Sequence, residues 1–335
     1  LSTRTHMNRV LITGATGFVG SHLIDALIAR GGIDIHAFKR WRSPTDNVAH
    51  IADKVTWIDG DLTDADSVRV AVQQSAPDTI FHLAAQSFVP YSYKAKRATI
   101  DANVVGALNL LEAAHALTHP PTIHVCSSSE VYGQPPPEHL PTTEDAPLAP
   151  ISPYAASKAA MEHVVGVFAK SYQACVIVTR AFTHSGPRRG KDFFDSWFAY
   201  QIAQGAKSIR CGNLNSIRTV MDVRDTVRAY ILAVEKCEPG VYNVGGDETY
   251  TVADVMWMLV DLNGVVGVHA MADRDLLRPV DVEVQRPDSS KFRAATGWRP
   301  TIPYKQTLRD MLDYWRARIE TDSASGDRCA EREAL

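Results

Sequence analysis

The stretch RVLITGATGFVGSHL, Arg9 to Leu23, constrains this chain more than any other. A β-branched apolar run ends at Thr13, glycines follow at positions 14, 17 and 20, and apolar residues then recur at helical spacing. A strand that turns sharply into a helix needs the first glycine for the turn and the later ones for close backbone approach, and the helix N-terminus so formed suits a pyrophosphate. Glycines at GxxGxxG spacing are a weak signal alone, because a purely structural strand-turn-helix carries them too. The strand before and the helix after favour a nucleotide, with Gly14, Thr16, Gly17, Phe18, Val19 and Gly20 against it.

The same alternation continues through the first half. Short β-branched runs at 34–38, 55–59, 79–84, 122–127 and 175–180 are separated by stretches of helical periodicity, notably 104–117 and 155–172. Such alternation with apolar strands requires a parallel sheet covered on both faces, so the fold class is α/β: a doubly wound Rossmann domain with a smaller, loop-rich α/β substrate domain. The expected boundaries are 8–180 plus about 222–246 for the first and about 181–221 with 247–318 for the second. Leu1 to His6 read as an artificial leader before Met7, and residues 320–335 as a disordered polar tail. The 35 basic and 38 acidic residues leave a net charge of −3, so no basic excess points to nucleic acid or an anionic membrane, and no apolar run is long enough to span one. Any bound anion must meet local arginines and backbone N–H groups. The five cysteines, at 126, 175, 211, 237 and 329, are scattered without CxxC or zinc spacing, which points to a reduced, cytoplasmic setting and no metal.

The end of the second strand speaks to the choice of dinucleotide. An NAD site usually places a carboxylate there, whereas this chain has HAFKRWR, with Lys39, Arg40 and Arg42. Guanidinium groups can pair with a 2′-phosphate, so NADP is expected rather than NAD, with Arg40 the contact; a solvated basic loop is the alternative. Asp61 and Leu62 follow the third strand where an adenine edge would lie, and Leu83, Ala84 and Ala85 follow the fourth, small enough for cofactor approach. After the fifth strand come CSSSEVYG and SPYAASK. Tyr154 and Lys158, four apart, share one face of a helix, where the ammonium would draw the phenol toward neutrality and make it a general base. A Tyr-x-x-x-Lys pair is common by chance, but its place after SSSE in a chain that opens on a dinucleotide turn makes coincidence improbable.

As a set, TGATGFVGSHL, GDL, HLAAQSFVPYS, NVVGALNLLEA, SSSEVYG, SPYAASK, HSGPRRG, GNL, DVRD, VYNVGG, RPVDV and TGWRPTIP resemble the extended short-chain dehydrogenase/reductase family over residues 8–318. The resemblance is to the branch of GDP-mannose 4,6-dehydratases and GDP-4-keto-6-deoxymannose reductases. It implies Ser128 on the C4 oxygen of a sugar, Tyr154 as base with Lys158 behind it, and Glu130 as the carboxylate that handles the C5 proton and the C6 hydroxyl. It implies Ser87 and Thr183 beside the substrate; the family usually has Asn at the latter position, and Thr leaves the hexose open. Arg218 and Arg278 fall where the family grips a sugar nucleotide, and Arg188 is a third candidate that could equally belong to an exposed loop or an inter-subunit contact. A homodimer through helices 104–117 and 155–172 is implied, or a tetramer if the Arg40 loop crosses subunits.

The readings in play are an NADP-dependent GDP-hexose 4,6-dehydratase, the NADPH-dependent 4-keto reductase, a sugar-nucleotide 4-epimerase, and a catalytically silent NADP-binding protein. Elimination requires a carboxylate beside the sugar, the place the resemblance gives Glu130; simple hydride transfer does not.

Overall fold

The computed structural model describes residues 7–333, with side-chain environments through residue 322; the leader of Leu1 to His6 lies outside them. In chain order the strands are β1 (Arg9–Thr13), β2 (Asp34–Lys39), β3 (Thr56–Asp59), β4 (Thr79–His82), β5 (Thr122–Cys126), β6 (Val176–Ala181) and β7 (Thr183–Ser185). They continue with β8 (Ser208–Cys211), β9 (Ile217–Asp222), β10 (Gly240–Val244), β11 (Glu248–Thr251), β12 (His269–Ala272) and β13 (Val284–Gln285). The helices are α1 (Phe18–Arg30), α2 (Ala65–Ser75), α3 (Val89–Lys94), α4 (Lys96–Ile100), α5 (Gly106–His115) and α6 (Pro153–Tyr172). After them come α7 (Phe194–Ala203), α8 (Val223–Lys236), α9 (Val252–Asn263), α10 (Ser290–Thr296) and α11 (Tyr304–Glu333).

Seven strands form one parallel sheet in the order β10-β6-β5-β4-β1-β2-β3. The chain winds outward in both directions from β1, so a crevice opens above the carboxyl ends of β1 and β4, where ligands settle in sheets of this kind. Strands β4 and β6 are buried along their whole length, as two-sided cover demands. One face packs on Leu23, Ile24 and Leu27 of α1 with Tyr230 and Ala233 of α8. The other packs on Val68 and Val72 of α2, Leu110 and Leu111 of α5, and Met161 and Val165 of α6.

The rest of the chain is less loop-rich than its Gly, Pro and Arg content suggested. Strands β11, β9 and β13 form a second sheet that β7 joins through β9, and β8 pairs with β12. Helices α7, α9 and α11 bury Phe198, Leu259, Leu308, Met311 and Trp315 in a core of their own. Helix α11 runs to Glu333, and the last two residues of the stretch 320–335 expected as a polar tail lie outside the described residues. Its first turns are anchored in that core through Leu308, Met311 and Trp315. Among the described residues no helix is long and apolar enough to cross a membrane.

His82 and His124 lie inside the main sheet, and burial pushes each imidazole down to about 3. The unfolded chain takes up a proton at each below about pH 6.5 while the folded chain does not. Stability from this source is therefore complete above pH 6.5 and drains away as the pH falls, by about 2 kcal/mol per histidine at pH 5. A His82→Gln, His124→Gln variant is expected to lose less Tm than the parent between pH 7 and pH 5. Equal losses would contradict this assignment.

Candidate active site

The carboxyl ends of β1 and β4 are held close by the absence of a side chain. Gly14 has φ +72°, and a Cβ there would sit 2.8 Å from the Ala84 backbone nitrogen; a Cβ on Gly20 would sit 2.2 Å from the Gly14 oxygen. The Gly17 N–H donates to the Gly14 oxygen at 3.0 Å, closing the turn, and the Asn47 amide donates to the Thr16 oxygen at 3.3 Å. Gly17 is the N-cap of α1 and brings no capping side chain, so the first-turn N–H groups at Phe18, Val19 and Gly20 are left for an anion. The Ala84 N–H is already spent on the Thr13 hydroxyl at 3.2 Å, and Leu83 and Ala85 are half-buried beside it.

At the far end of the crevice Arg40 and Arg42 are exposed beyond β2. The Asp61 carboxylate accepts from the Thr63 N–H and hydroxyl, and these bonds together with Arg40 and Arg42 hold it below the usual carboxylate range. Leu62 turns its side chain into the core, so only its backbone faces the crevice edge. Lys39 is committed to Asp59 at 2.6 Å. A glycine cradle, an uncapped helix start and two exposed guanidinium groups fit a dinucleotide.

Ser128 caps the 3-10 turn Ser129–Tyr132, its hydroxyl accepting from the Glu130 N–H at 3.2 Å and bonding the Tyr154 hydroxyl. Tyr154 sits in the first turn of α6, which Ser152 caps through the Ala155 N–H at 3.1 Å; Pro153 follows with its φ preset. The Tyr154 N–H donates to Ser92 and the Lys158 ammonium to the Cys126 carbonyl at 2.7 Å. Behind them, a wide π-helical turn at Asp101–Val105 presents Asn103 to the Gln86 backbone and to Ser157 at 2.8 Å, locking α6 to the loop after β4. Sequence reasoning missed Asn103, although it lies at the head of NVVGALNLLEA.

The electrostatics differ from the expectation in one respect. Burial pushes the Tyr154 phenol above its ordinary value, opposed by the Ser128 hydrogen bond and by Arg189, and Lys158 does not figure among its main influences. Burial likewise pushes Lys158 down, opposed by Cys126 and Glu162. The ammonium is bonded to a strand carbonyl. His184 stacks on Phe18, bonds the Phe182 carbonyl through Nδ1, and is held neutral by burial, down to about 4.

Glu130 faces the second sheet. Its Oε1 accepts from Gln285 Nε2 at 3.3 Å and lies 3.6 Å from the Arg278 guanidinium. Arg278 is also 3.5 Å from Asp281, which bonds Arg218 at 3.2 Å and Ser216 at 2.9 Å. Burial alone would raise the Asp281 pKa; Arg218 and Arg278 outweigh it and keep the carboxyl low. Glu130, Arg218 and Arg278 are thus brought together, with Asp281 and Gln285 as partners that sequence reasoning did not name. Asp281 was within reach, three residues past Arg278 in RPVDV. Gln285 depends on the pairing of β13 with β9 across a long sequence gap.

Arg188 does not join them. In a left-handed conformation, φ +71°, it pairs with Asp25 of α1 at 2.7 Å and lines a separate cavity of about 570 Å³ beside Lys191, Tyr200, Trp315 and Arg318. Its neighbour Arg189 takes the inward position, over Phe18 and Phe193 and 3.5 Å from Asp195. Thr183 is half-buried in β7, opposite Val220, and Ser87 is exposed in the loop that Gln86 and Asn103 shape.

Residues 11–311 match the GDP-mannose 4,6 dehydratase family. The chain is 31% identical over 320 residues to the GDP-6-deoxy-D-mannose reductase of Pseudomonas aeruginosa, covering 94% of this chain and 99% of that one. It is 30% identical to the GDP-mannose 4,6-dehydratase of Vibrio cholerae, with 91% and 92% covered. The solved structure of RMD from Pseudomonas aeruginosa complexed with NADPH superposes with a TM-score of 0.80 at 30% identity, over 92% of this chain and 99% of that chain. A doubly wound sheet, a glycine cradle and a Ser-Tyr-Lys group at its open end agree with these likenesses, and the chain belongs to the GDP-mannose 4,6-dehydratase family of extended short-chain dehydrogenase/reductase enzymes.

Proposed function

We propose that this enzyme is an NADP-dependent 4,6-dehydratase of a GDP-linked hexose such as GDP-mannose. The observation that carries the reading is Glu130, a carboxylate two residues from Ser128 whose charge is felt by the Tyr154 phenol. The relatives' names support a GDP-sugar, and the exposed Arg40 and Arg42 beside Asp61 support a 2′-phosphate on the cofactor. The reductase is the second reading, favoured by the similarity that spans nearly all of the Pseudomonas enzyme. The division of labour follows the two sheets: residues 8–180 with 222–246 hold the cofactor, and 181–221 with 247–318 hold the sugar nucleotide. Exposed Ile100, Val105, Val167 and Tyr172 on or beside α5 and α6 support a homodimer through those helices.

When bound, the dinucleotide supplies the acceptor and then the donor of a hydride. Ser128 and Tyr154 hold the C4 oxygen between their side-chain oxygens, and Tyr154, as the phenolate that Ser128 and Arg189 favour against burial, takes the C4 hydroxyl proton as the carbon is oxidised. Lys158 anchors the base end of the site through the Cys126 carbonyl. A ketone at C4 acidifies C5–H; Glu130 removes that proton and delivers it to the departing C6 oxygen, which leaves as water, and once C6 has its hydride C5 regains a proton, balanced by the one Tyr154 took from the C4 hydroxyl. Arg218 and Arg278 have partners of moderate length in Asp281 and Glu130, which a diphosphate can replace with bidentate contacts. Drawing Arg278 onto the diphosphate frees a lone pair of Glu130, while Gln285 still orients the carboxylate.

Incubation with GDP-mannose and no added reductant is expected to give a product lighter by one water in mass spectrometry. No such product, with NADPH oxidised when a GDP-4-keto-6-deoxy sugar is supplied, would establish the reductase instead. Glu130→Gln is expected to lower dehydration by at least about a hundredfold with KM changed only a few-fold, as loss of an acid–base group does. Unimpaired dehydration in that variant, with Tyr154→Phe inactive, would remove Glu130 from the step. Arg40→Ala is expected to weaken NADPH about tenfold relative to NADH in a binding titration, the loss of one charge-assisted bond. An unchanged ratio would place the 2′-phosphate elsewhere.

A further inference from the structure

One buried ion pair ties the two elements that carry the catalytic groups. Glu162 and Arg180 have side chains only 5% and 7% exposed. Arg180 donates from Nε to both Glu162 oxygens at 3.1 Å and from Nη2 to Oε2 at 2.7 Å. Glu162 lies one helical turn beyond Lys158 and two beyond Tyr154 on α6, and it also accepts a hydrogen bond from the Ser127 hydroxyl. Arg180, on β6, uses its remaining nitrogen on the Tyr132 hydroxyl at 2.8 Å and the Glu144 carbonyl at 2.9 Å, and lies over the Tyr132 ring at 4.9 Å. Tyr132 in turn donates to Asn243 of β10 at 2.7 Å.

Ser127 and Tyr132 bracket the segment that holds Ser128 and Glu130. Both ends of that segment are therefore fastened to one guanidinium–carboxylate pair, and the carboxylate belongs to the helix that holds Tyr154 and Lys158. We propose that Glu162 and Arg180 are positioning residues that set Ser128 and Glu130 against Tyr154 and Lys158. This rests on the roles proposed above for those four residues. Burying two charges is a poor way to gain stability when well-packed neutral side chains of similar volume do as well. What the charged pair adds is direction: a planar fork with five donors locked on a carboxylate admits one arrangement of three strand ends and a helix. A displacement of about 1 Å at reacting groups can cost about a hundredfold in rate.

Stability and catalysis are expected to separate in a double variant. Glu162→Gln and Arg180→Met each strand a buried charge and should lower Tm; together they leave no charge and should recover most of it. In the double variant kcat is expected to stay about ten- to a hundredfold below the parent, with the KM for sugar nucleotide within about threefold, because Arg218 and Arg278 are untouched. Recovery of both Tm and kcat would overturn the proposal and leave the pair a structural tie. If the double variant does not regain Tm, Arg180→Lys, which keeps the charge without the fork, is measured instead: a Tm near the parent's with kcat at least about tenfold lower supports positioning, and an unchanged kcat refutes it. The crystal structure of whichever variant keeps its Tm reads the same point without a substrate. Ser128 Oγ moved by about 1 Å or more from the Tyr154 hydroxyl supports the proposal, and an unmoved Ser128 overturns it. Failure of the parent to turn over either GDP-sugar counts against the proposed function and leaves this structural readout in force.

Discussion

The approach of the Gly14 turn to the Ala84 backbone is the contact on which the rest of the molecule depends. A methyl group at residue 14 would meet backbone atoms at 2.8 to 3.0 Å, and the residue already occupies a conformation that side chains resist. Because the turn is bare, β1 and β4 can end side by side, α1 can start at once, and its free N–H groups open into the crevice. Ser128 and Tyr154, the pair to which the proposed chemistry is assigned, then need only stand at the neighbouring end of β5 and the start of α6, where the parallel register delivers them.

Charge in this site is arranged by burial first and partners second. The phenol of Tyr154 is pushed up and the ammonium of Lys158 down, so both are biased toward their neutral forms in the protein alone. The groups that work against this are the Ser128 hydroxyl and then Arg189 for the phenol, and Cys126 and then Glu162 for the ammonium. The carboxylate that adds to Cys126 in favouring the Lys158 ammonium is thus also the one that ties α6 to the end of β5. In a low-dielectric interior such networks are costly when half-satisfied and rigid when complete, which suits a centre that must hold several groups in register. The guanidinium cluster is built differently: Arg218 is buried while Arg278 is part-exposed, and the two meet Asp281 and Glu130 at 3.2 to 3.6 Å.

Much of the fold was legible because local signals agreed with the global arrangement. The run Arg9–Thr13 is a strand with the bounds its β-branched residues suggest, and the 155–172 periodicity is α6 extended by Pro153 and Tyr154 and capped by Ser152. Helix α7 did not stand out, since Phe194 to Ala203 are apolar around most of the helix and show little period, and it is buried accordingly. Ser128, Tyr154 and Lys158 could be named from short motifs because each sits within a few residues of an element end. Asp281 and Gln285 could not be tied to Arg218 and Glu130 without the pairing of β13 beside β9. The choice between Arg188 and Arg189 turns on one left-handed residue, which adjacent identical letters do not reveal.

The central claim is that one site oxidises C4, eliminates water across C5 and C6, and closes the redox cycle on the same sugar. GDP-mannose carrying deuterium at C4 tests it most directly, with the product examined for the position of the label. The account predicts a 4-keto-6-deoxy product that has lost water and carries the deuterium at C6. A dehydrated product without label at C6, or label that appears only when an external reductant is consumed, would contradict it.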